Sequence, residues 1–417
     1  MYYTQNIDSS WQLWSQNGDD KTALQSSKAV IKKASSKLKA EYRAAKLPML
    51  NAAQERNFKW QDAAKSMQSY QKILILGMGG STLNPQLLSA LSSAPDKIIY
   101  WENIDPRAFT NLCQSLDITR TAVLVITKSG KTIETVAQFL ALFDFWRRIV
   151  VKPQKHFWFI TDPEPNPMRD LATQLGIECL EHPQEIGGRY ATFTVVGLLP
   201  AYLADLDVAA FLTGAKTVLN NWLNQEESDP ESGALFQFHG MLLNHSMTVF
   251  MPYIASLYAL SNWFCQLWSE SLGKGGQGTT PIRASGPLDQ HSQLQLYLDG
   301  PNDKIFTFIT EHHTHTKNII SPNLAGADSL TQLLAKTSLG ALVEAEQEAT
   351  IATVARHSRP VRVIALNQLK EAELGSLCMH IMLETLIVAE AMGVDPFSQP
   401  AVEEGKRLAL EALNNRV

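Results

Sequence analysis

Short, uninterrupted apolar runs recur along this chain, each followed by a polar loop and then by a helical pattern. Ile73-Leu74-Ile75-Leu76 ends in Gly77-Met78-Gly79-Gly80-Ser81, and a helical pattern begins near Pro85. Ala122-Val123-Leu124-Val125-Ile126 ends in Thr127-Lys128-Ser129-Gly130, before a helix predicted over about Thr132 to Trp146. Phe157-Trp158-Phe159-Ile160 ends in Thr161-Asp162-Pro163. Runs that are apolar at every position, not at alternate ones, are expected of strands buried on both faces, as in a parallel sheet flanked by helices. Such a sheet binds ligands beyond its strand C-termini, and all three polar loops fall there.

The second half repeats this texture. A strand is predicted at 247–251, followed by a helix leading to Glu270 and a short strand near Thr280-Pro281-Ile282. The runs Ile305–Ile309 and Val361–Leu366 come next, with long helical patterns over Ser329–Val354 and Leu369–Met392. The fold expected is α/β, with two doubly wound parallel-sheet domains over 61–215 and 230–395. Residues 1–60 are expected to form an N-terminal helical region, and 396–417 a C-terminal helical tail. The junction lies around Asp205 to Glu231, where Asp229-Pro230-Glu231-Ser232-Gly233 is read as a connecting loop. A length of 417 residues agrees with two cores, and no fixed-period repeat is evident.

Charge narrows the partners. A net charge of −5, from 36 basic and 41 acidic residues, gives no field for nucleic acid or an anionic membrane. An anionic small substrate would depend on local donors. Cys113, Cys179, Cys265 and Cys378 are widely spaced, as expected of reduced thiols in a reducing compartment. The N-terminus has neither a basic nor an apolar leader region, so a cytoplasmic location is expected. Ser232 to Ser269 carries no charged residue and is long enough to cross a bilayer. Asn244, His245, Pro252, Asn262 and Gln266 interrupt it, which fits a buried strand and a buried helix instead.

Three stretches carry candidate chemistry. Thr127-Lys128-Ser129-Gly130-Lys131-Thr132 offers hydroxyls, a glycine and free N–H groups between a strand end and a helix start, a natural phosphate cradle. The plainer alternative is a strand–turn–helix junction with Ser and Thr as caps. Gly79-Gly80-Ser81 is a second cradle candidate, without the spacing of a Walker A loop or a dinucleotide fingerprint. In Gln266–Lys274 one carboxylate, Glu270, ends an aromatic-rich apolar run with a glutamine four residues before it. Partial desolvation there favours a proton-transfer role. A simple Glu270–Lys274 pair at i,i+4 spacing is the alternative. Glu311-His312-His313-Thr314-His315 invites a weak metal reading, but the expectation is no functional metal.

Together the two loops are similar to the paired sugar-phosphate loops of sugar-isomerase (SIS) domains. Four further segments narrow the resemblance to the phosphoglucose isomerase family, compact bacterial type. They are Gly187-Gly188-Arg189-Tyr190 with Val196–Pro200, the Gln266–Lys274 segment, Asp289–Gln295, and Gln399–Lys406. All six segments stand in the family's order, from about residue 75 to 410. The resemblance implies that Ser81, Thr127, Lys128, Ser129 and Thr132 hold a substrate phosphate, with Gly80 allowing close approach. It implies that Glu270 moves a proton between C1 and C2 of the open-chain sugar and that Arg189 faces the developing enediolate. His291 would assist ring opening from the partner subunit of a homodimer, Lys406 would sit near the ring oxygen, and Gln266 and Gln399 would position substrate. The implied reaction is interconversion of glucose 6-phosphate and fructose 6-phosphate in glycolysis and gluconeogenesis, with no metal or cofactor.

The chemistry accounts for these residue types. A proton α to a carbonyl is weakly acidic, so the base needs a charge where the oxyanion forms. Arginine supplies it without competing for the migrating proton, and histidine titrates near neutrality, as ring opening requires. Plainer readings stand beside each: a structural Arg189, a capping or core His291, a solvated helix face for Lys406 and Glu404. Two departures from the family are Lys131 where threonine is common, and Thr127 in place of serine. A bifunctional phosphoglucose/phosphomannose isomerase and a non-catalytic sugar-phosphate sensor are the alternative functions.

Overall fold

The computed structural model describes all residues except Met1, Asn17, Asn57, residues 313–319 and 321–325, Ala327 and Val417. Among these, ten strands occur: β1 (Tyr3–Asn6), β2 (Lys72–Leu76), β3 (Ile98–Trp101), β4 (Thr121–Ile126), β5 (Phe157–Thr161), β6 (Glu178–Glu181), β7 (Met247–Pro252), β8 (Thr280–Arg283), β9 (Lys304–Glu311) and β10 (Val361–Leu366). They form two five-stranded sheets. The continuous apolar runs are the central strands, and all six residues of β4 are buried. Strands the sequence reading missed are peripheral: β6, Glu-Cys-Leu-Glu, is an edge strand with no fully buried residue.

The first sheet has the order β3-β2-β4-β5-β6, parallel throughout. The chain winds outward from β2 to β3 and then back across to β4, so the winding direction reverses between β2 and β4. The second sheet runs β8-β7-β9-β10-β1 and reverses between β7 and β9 in the same way. Its last strand is a departure. Residues 1–60, expected to be helical, open with β1, which pairs antiparallel with β10, Tyr3 opposite Leu366. The helix Gly18–Arg43 follows, as expected.

Asp229–Gly233, read as a loop from its composition, is instead the first turn of the helix Asp229–Leu242. Ser228 caps it, and the Glu231 carboxylate accepts from the Ser228 N–H at 2.8 Å and its hydroxyl at 2.9 Å. Pro230 falls in the first turn, where no N–H is needed. The single helix predicted over Ser329–Val354 is two, Ser329–Leu334 and Leu339–Arg356, with Asp328 and Ser338 accepting from the N–H groups of their first turns.

The uncharged stretch Ser232–Ser269 folds as a helix, then β7, then the helix Tyr258–Leu272. The helix Glu371–Met392 is long and apolar enough to cross a membrane, but it runs through the protein interior, with every residue from Leu374 to Ala389 buried. The largest apolar core is continuous from Ile73 and Leu124 of the first sheet to Phe250 and Ile364 of the second. The helix Tyr258–Leu272 lies within it, burying Trp263, Phe264, Leu267 and Trp268. Its C-terminal turn carries Glu270.

Candidate active site

Because β2 and β4 are neighbours, the loops that follow them emerge side by side at the point where the winding reverses, the place where open α/β sheets hold ligands. The first loop turns through Gly79 at φ 57° and enters the helix Gly80–Ser89. Residues with a Cβ rarely adopt that conformation, and a Cβ on Gly79 would lie 2.9 Å from Gln266 Nε2. A Cβ on Gly80 would overlap the Gly188 carbonyl. Both glycines therefore let the loop press against the segments carrying Arg189 and Glu270.

The second loop leads into the helix Ile133–Arg147, predicted from Thr132. Thr127 Oγ1 donates to Thr132 Oγ1 at 3.3 Å, and the Lys131 N–H donates to Ser129 Oγ at 3.2 Å. Gly130, at φ 62°, is seated against the Asn166 carboxamide, which a Cβ would overlap. Lys128 is half-buried; burial lowers its pKa from the ordinary lysine value, with Asp162 and Glu185 opposing the shift.

Arg189 is 4% exposed and uses its whole guanidinium. Nη1 donates to Glu270 Oε2 at 2.9 Å and to Gln399 Oε1 at 2.6 Å. Nε donates to Ser271 Oγ at 3.1 Å, and Nη2 to the carbonyls of Pro396 at 2.5 Å and Ser398 at 3.2 Å. Tyr190, whose hydroxyl burial pushes up to about 12, shares a 2.7 Å hydrogen bond with Ser271 Oγ. The second oxygen of Glu270 accepts from Gln266 Nε2 at 3.0 Å. Glu270 keeps 31% of its side chain exposed, so it is held but reachable. Lys274 does not pair with that carboxylate: its ammonium donates to the carbonyls of Glu270 and Ser271 at 2.7 and 2.8 Å, closing the helix C-terminus.

Gln266, Glu270, Arg189 and Gln399 thus form one hydrogen-bonded cluster beside the Gly79–Gly80 loop. Two other candidates stand outside it. His291 follows the short turn Leu288–Gln290, is exposed, and its side chain makes no hydrogen bond or ion pair among the described residues. Lys406 lies on the helix Glu403–Asn414, where no residue is buried, and pairs with Glu403 at 2.6 Å. That arrangement is the solvated helix face weighed as its alternative. His313 and His315 of the histidine-rich stretch lie outside the described residues.

The sequence reading missed Asn84, Asn166 and Ser271, which touch the loops or Arg189 through the fold alone. Asn84 was set before a helix predicted from Pro85; the helix begins five residues earlier and takes Asn84 into its interior.

This arrangement can bind an anion at the paired loops and present a carboxylate with an adjacent guanidinium to the rest of the molecule bound there. Comparison with known proteins adds to the geometry. The family described as phosphoglucose isomerase matches residues 25–416. A glucose-6-phosphate isomerase of Rubrobacter xylanophilus is 34% identical over 355 residues, 80% of each chain. One of Thermus thermophilus is 35% identical over 353 residues, covering 82% of this chain and 84% of that one. Among solved structures, a hypothetical protein of Thermus thermophilus superposes with a TM-score of 0.86 at 28% identity, over 99% of both chains.

Proposed function

Because the chain belongs to the phosphoglucose isomerase family, we propose that the cluster around Glu270 carries that family's reaction, the reversible interconversion of glucose 6-phosphate and fructose 6-phosphate, in glycolysis and gluconeogenesis. The observation that supports it most is the Arg189–Glu270 pair, 2.9 Å apart and flanked by two glutamines. A base and a fixed cation beside a phosphate cradle are what proton transfer next to a carbonyl requires.

The phosphate is held by Ser81, Thr127, Lys128, Ser129 and Thr132, with Gly80 giving backbone access. That remote anchor supplies binding energy that brings C1 and C2 of the open-chain sugar to Glu270. Glu270 takes the proton from one carbon and returns it to the other. The electron pair left behind passes to the carbonyl oxygen, giving a cis-enediolate. Arg189 stabilises that oxygen, turning part of its donor set from Glu270 toward the substrate, and Gln266 and Gln399 hold the reacting carbons in register. The cycle is redox-neutral for the enzyme and is written without metal or cofactor.

Ring opening is assigned to His291 and Lys406, and it calls for a homodimer in which His291 enters the neighbouring site. Leu288 and Leu296, on either side of His291, are 71% and 55% exposed, an apolar rim of the kind a partner would cover. Lys406 reaches the ring oxygen once its helix, which buries nothing within this chain, packs in the assembly. A cytoplasmic location accompanies this substrate.

A substrate panel tests the reading. Purified protein should convert fructose 6-phosphate and leave mannose 6-phosphate largely untouched. Comparable turnover of both would favour the bifunctional enzyme; binding of both with no turnover would leave only a sensor.

A further inference from the structure

Asn84 lies wholly buried in the helix Gly80–Ser89, and its carboxamide has every hydrogen-bonding position filled. Nδ2 donates to the Gly80 carbonyl and, at 2.8 Å, to the Gly188 carbonyl. Oδ1 accepts from Thr192 Oγ1 at 2.5 Å and from Trp263 Nε1 at 3.0 Å. Two carbonyl acceptors on one side and two donors on the other leave a single orientation for the amide. Its partners belong to three different parts of the site. Gly80 is in the phosphate loop, Gly188 and Thr192 bracket Arg189, and Trp263 stands two helical turns before Glu270 on the same face.

We propose that Asn84 is a positioning residue that sets the distance between the phosphate loop and the Arg189–Glu270 pair. This inference rests on the isomerase reading above. Without the amide, the Gly80 and Gly188 carbonyls would face each other with no donor between them. Thr192 and Trp263 would be left as buried donors with no acceptor. Each of those losses is relieved by the three elements moving apart. The phosphate loop would still bind its anion, since within that loop Asn84 touches only the Gly80 carbonyl and none of the side chains of Ser81, Thr127, Lys128, Ser129 and Thr132. What changes is where C1 and C2 fall relative to Glu270. A displacement of about 1 Å at that point costs roughly 10²-fold in rate, so the effect belongs in kcat and not in KM. No other side chain serves: Asp lacks the two donors, Leu lacks all four positions, and Gln is a methylene too long for a site packed on every side.

The experiment measures kcat and KM for fructose 6-phosphate, with inhibition by inorganic phosphate, in wild type, Asn84→Ala, Trp263→Phe and the double variant. Asn84→Ala is expected to lose about 30-fold or more in kcat, with KM and phosphate inhibition within about threefold of wild type. Trp263→Phe keeps an aromatic ring at the position and removes one bond, and should lose about fivefold in kcat. On the Asn84→Ala background it should cost nothing further, because its effect runs through Asn84. A kcat within about twofold of wild type in either single variant, or losses that multiply in the double variant, overturns the inference. Should Asn84→Ala fail to fold, Trp263→Phe and Thr192→Val decide by the same kcat criterion. A wild type that turns over nothing takes down the isomerase reading and this inference with it. An active wild type with unaffected variants takes down this inference alone.

Discussion

Arg189 Nη1 sits between two oxygens of opposite character, the Glu270 carboxylate at 2.9 Å and the Gln399 amide at 2.6 Å. The guanidinium is thereby tied both to the Glu270 carboxylate and to the segment Pro396–Gln399, which reaches the site from the far end of the chain. Arg189→Lys keeps the charge but gives up the planar fork that serves five acceptors. We expect kcat to fall by about 10²–10³-fold, with phosphate inhibition nearly unchanged; steady-state kinetics with inorganic phosphate as competitor checks both.

Gly80 should tolerate no side chain. A Cβ there would overlap the Gly188 carbonyl, which is backbone and cannot swing aside as a flexible side chain would. Gly80→Ala is expected to destabilise the protein by about 1–3 kcal/mol and to raise KM as the loop shifts off its phosphate. Thermal unfolding alongside kinetics separates the two effects.

Lys128 predicts an alkaline limit. Burial holds its pKa below the ordinary lysine value, so the cation proposed to face the phosphate is lost earlier on raising the pH than an exposed lysine would be. Substrate affinity should therefore weaken on the alkaline side while kcat changes less. Lys128→Arg, which stays charged, should move that limb to higher pH. A KM profile from about pH 7 to 10.5 measures it; coincident limbs for the two proteins would contradict the assignment.

A second buried cluster, remote in role from the site, is expected to contribute to acid stability. Burial alone would raise the Glu384 carboxyl, but the Arg362 guanidinium at 2.6 Å and the His380 hydrogen bond at 3.0 Å outweigh it, holding its pKa at about 2. A carboxylate depressed in the folded state stabilises it fully above the unfolded value near 4.5. That contribution, on the order of 3 kcal/mol, drains away as the pH falls from there toward 2. Wild type should thus lose melting temperature steeply below pH 4.5. Glu384→Gln should start lower and fall less over the same range, as scanning calorimetry from about pH 7 to 3 can record.

The sequence was most informative where burial is complete. Strands such as β4, enclosed by helices, have to be apolar at every position, so they announce themselves, and the polar loops that follow them stand out against them. Edge strands obey no such demand: β6 has a glutamate at each end and no fully buried residue, and β1 gains its pairing partner from residues more than 350 positions away. The site shows the same division. Glu270 and Gln266 were visible because they interrupt an apolar helix, and Arg189 because the segment Gly187-Gly188-Arg189-Tyr190 resembles the family's. Asn84 and Asn166 carry no such mark, since their partners come together only when the sheet and helices pack. Lys406 is the opposite case, a motif residue whose helix makes no buried contact within this chain.

The role proposed for the Glu270 carboxylate is to move the proton between C1 and C2. Its most direct test follows conversion of fructose 6-phosphate in deuterated water by wild type and by Glu270→Gln, which keeps the size of the side chain but removes the base. Deuterium should enter the sugar carbon during wild-type turnover, and the variant should lose at least about 10³-fold in both isomerisation and exchange. Wild-type rates of isomerisation and exchange in Glu270→Gln would contradict it.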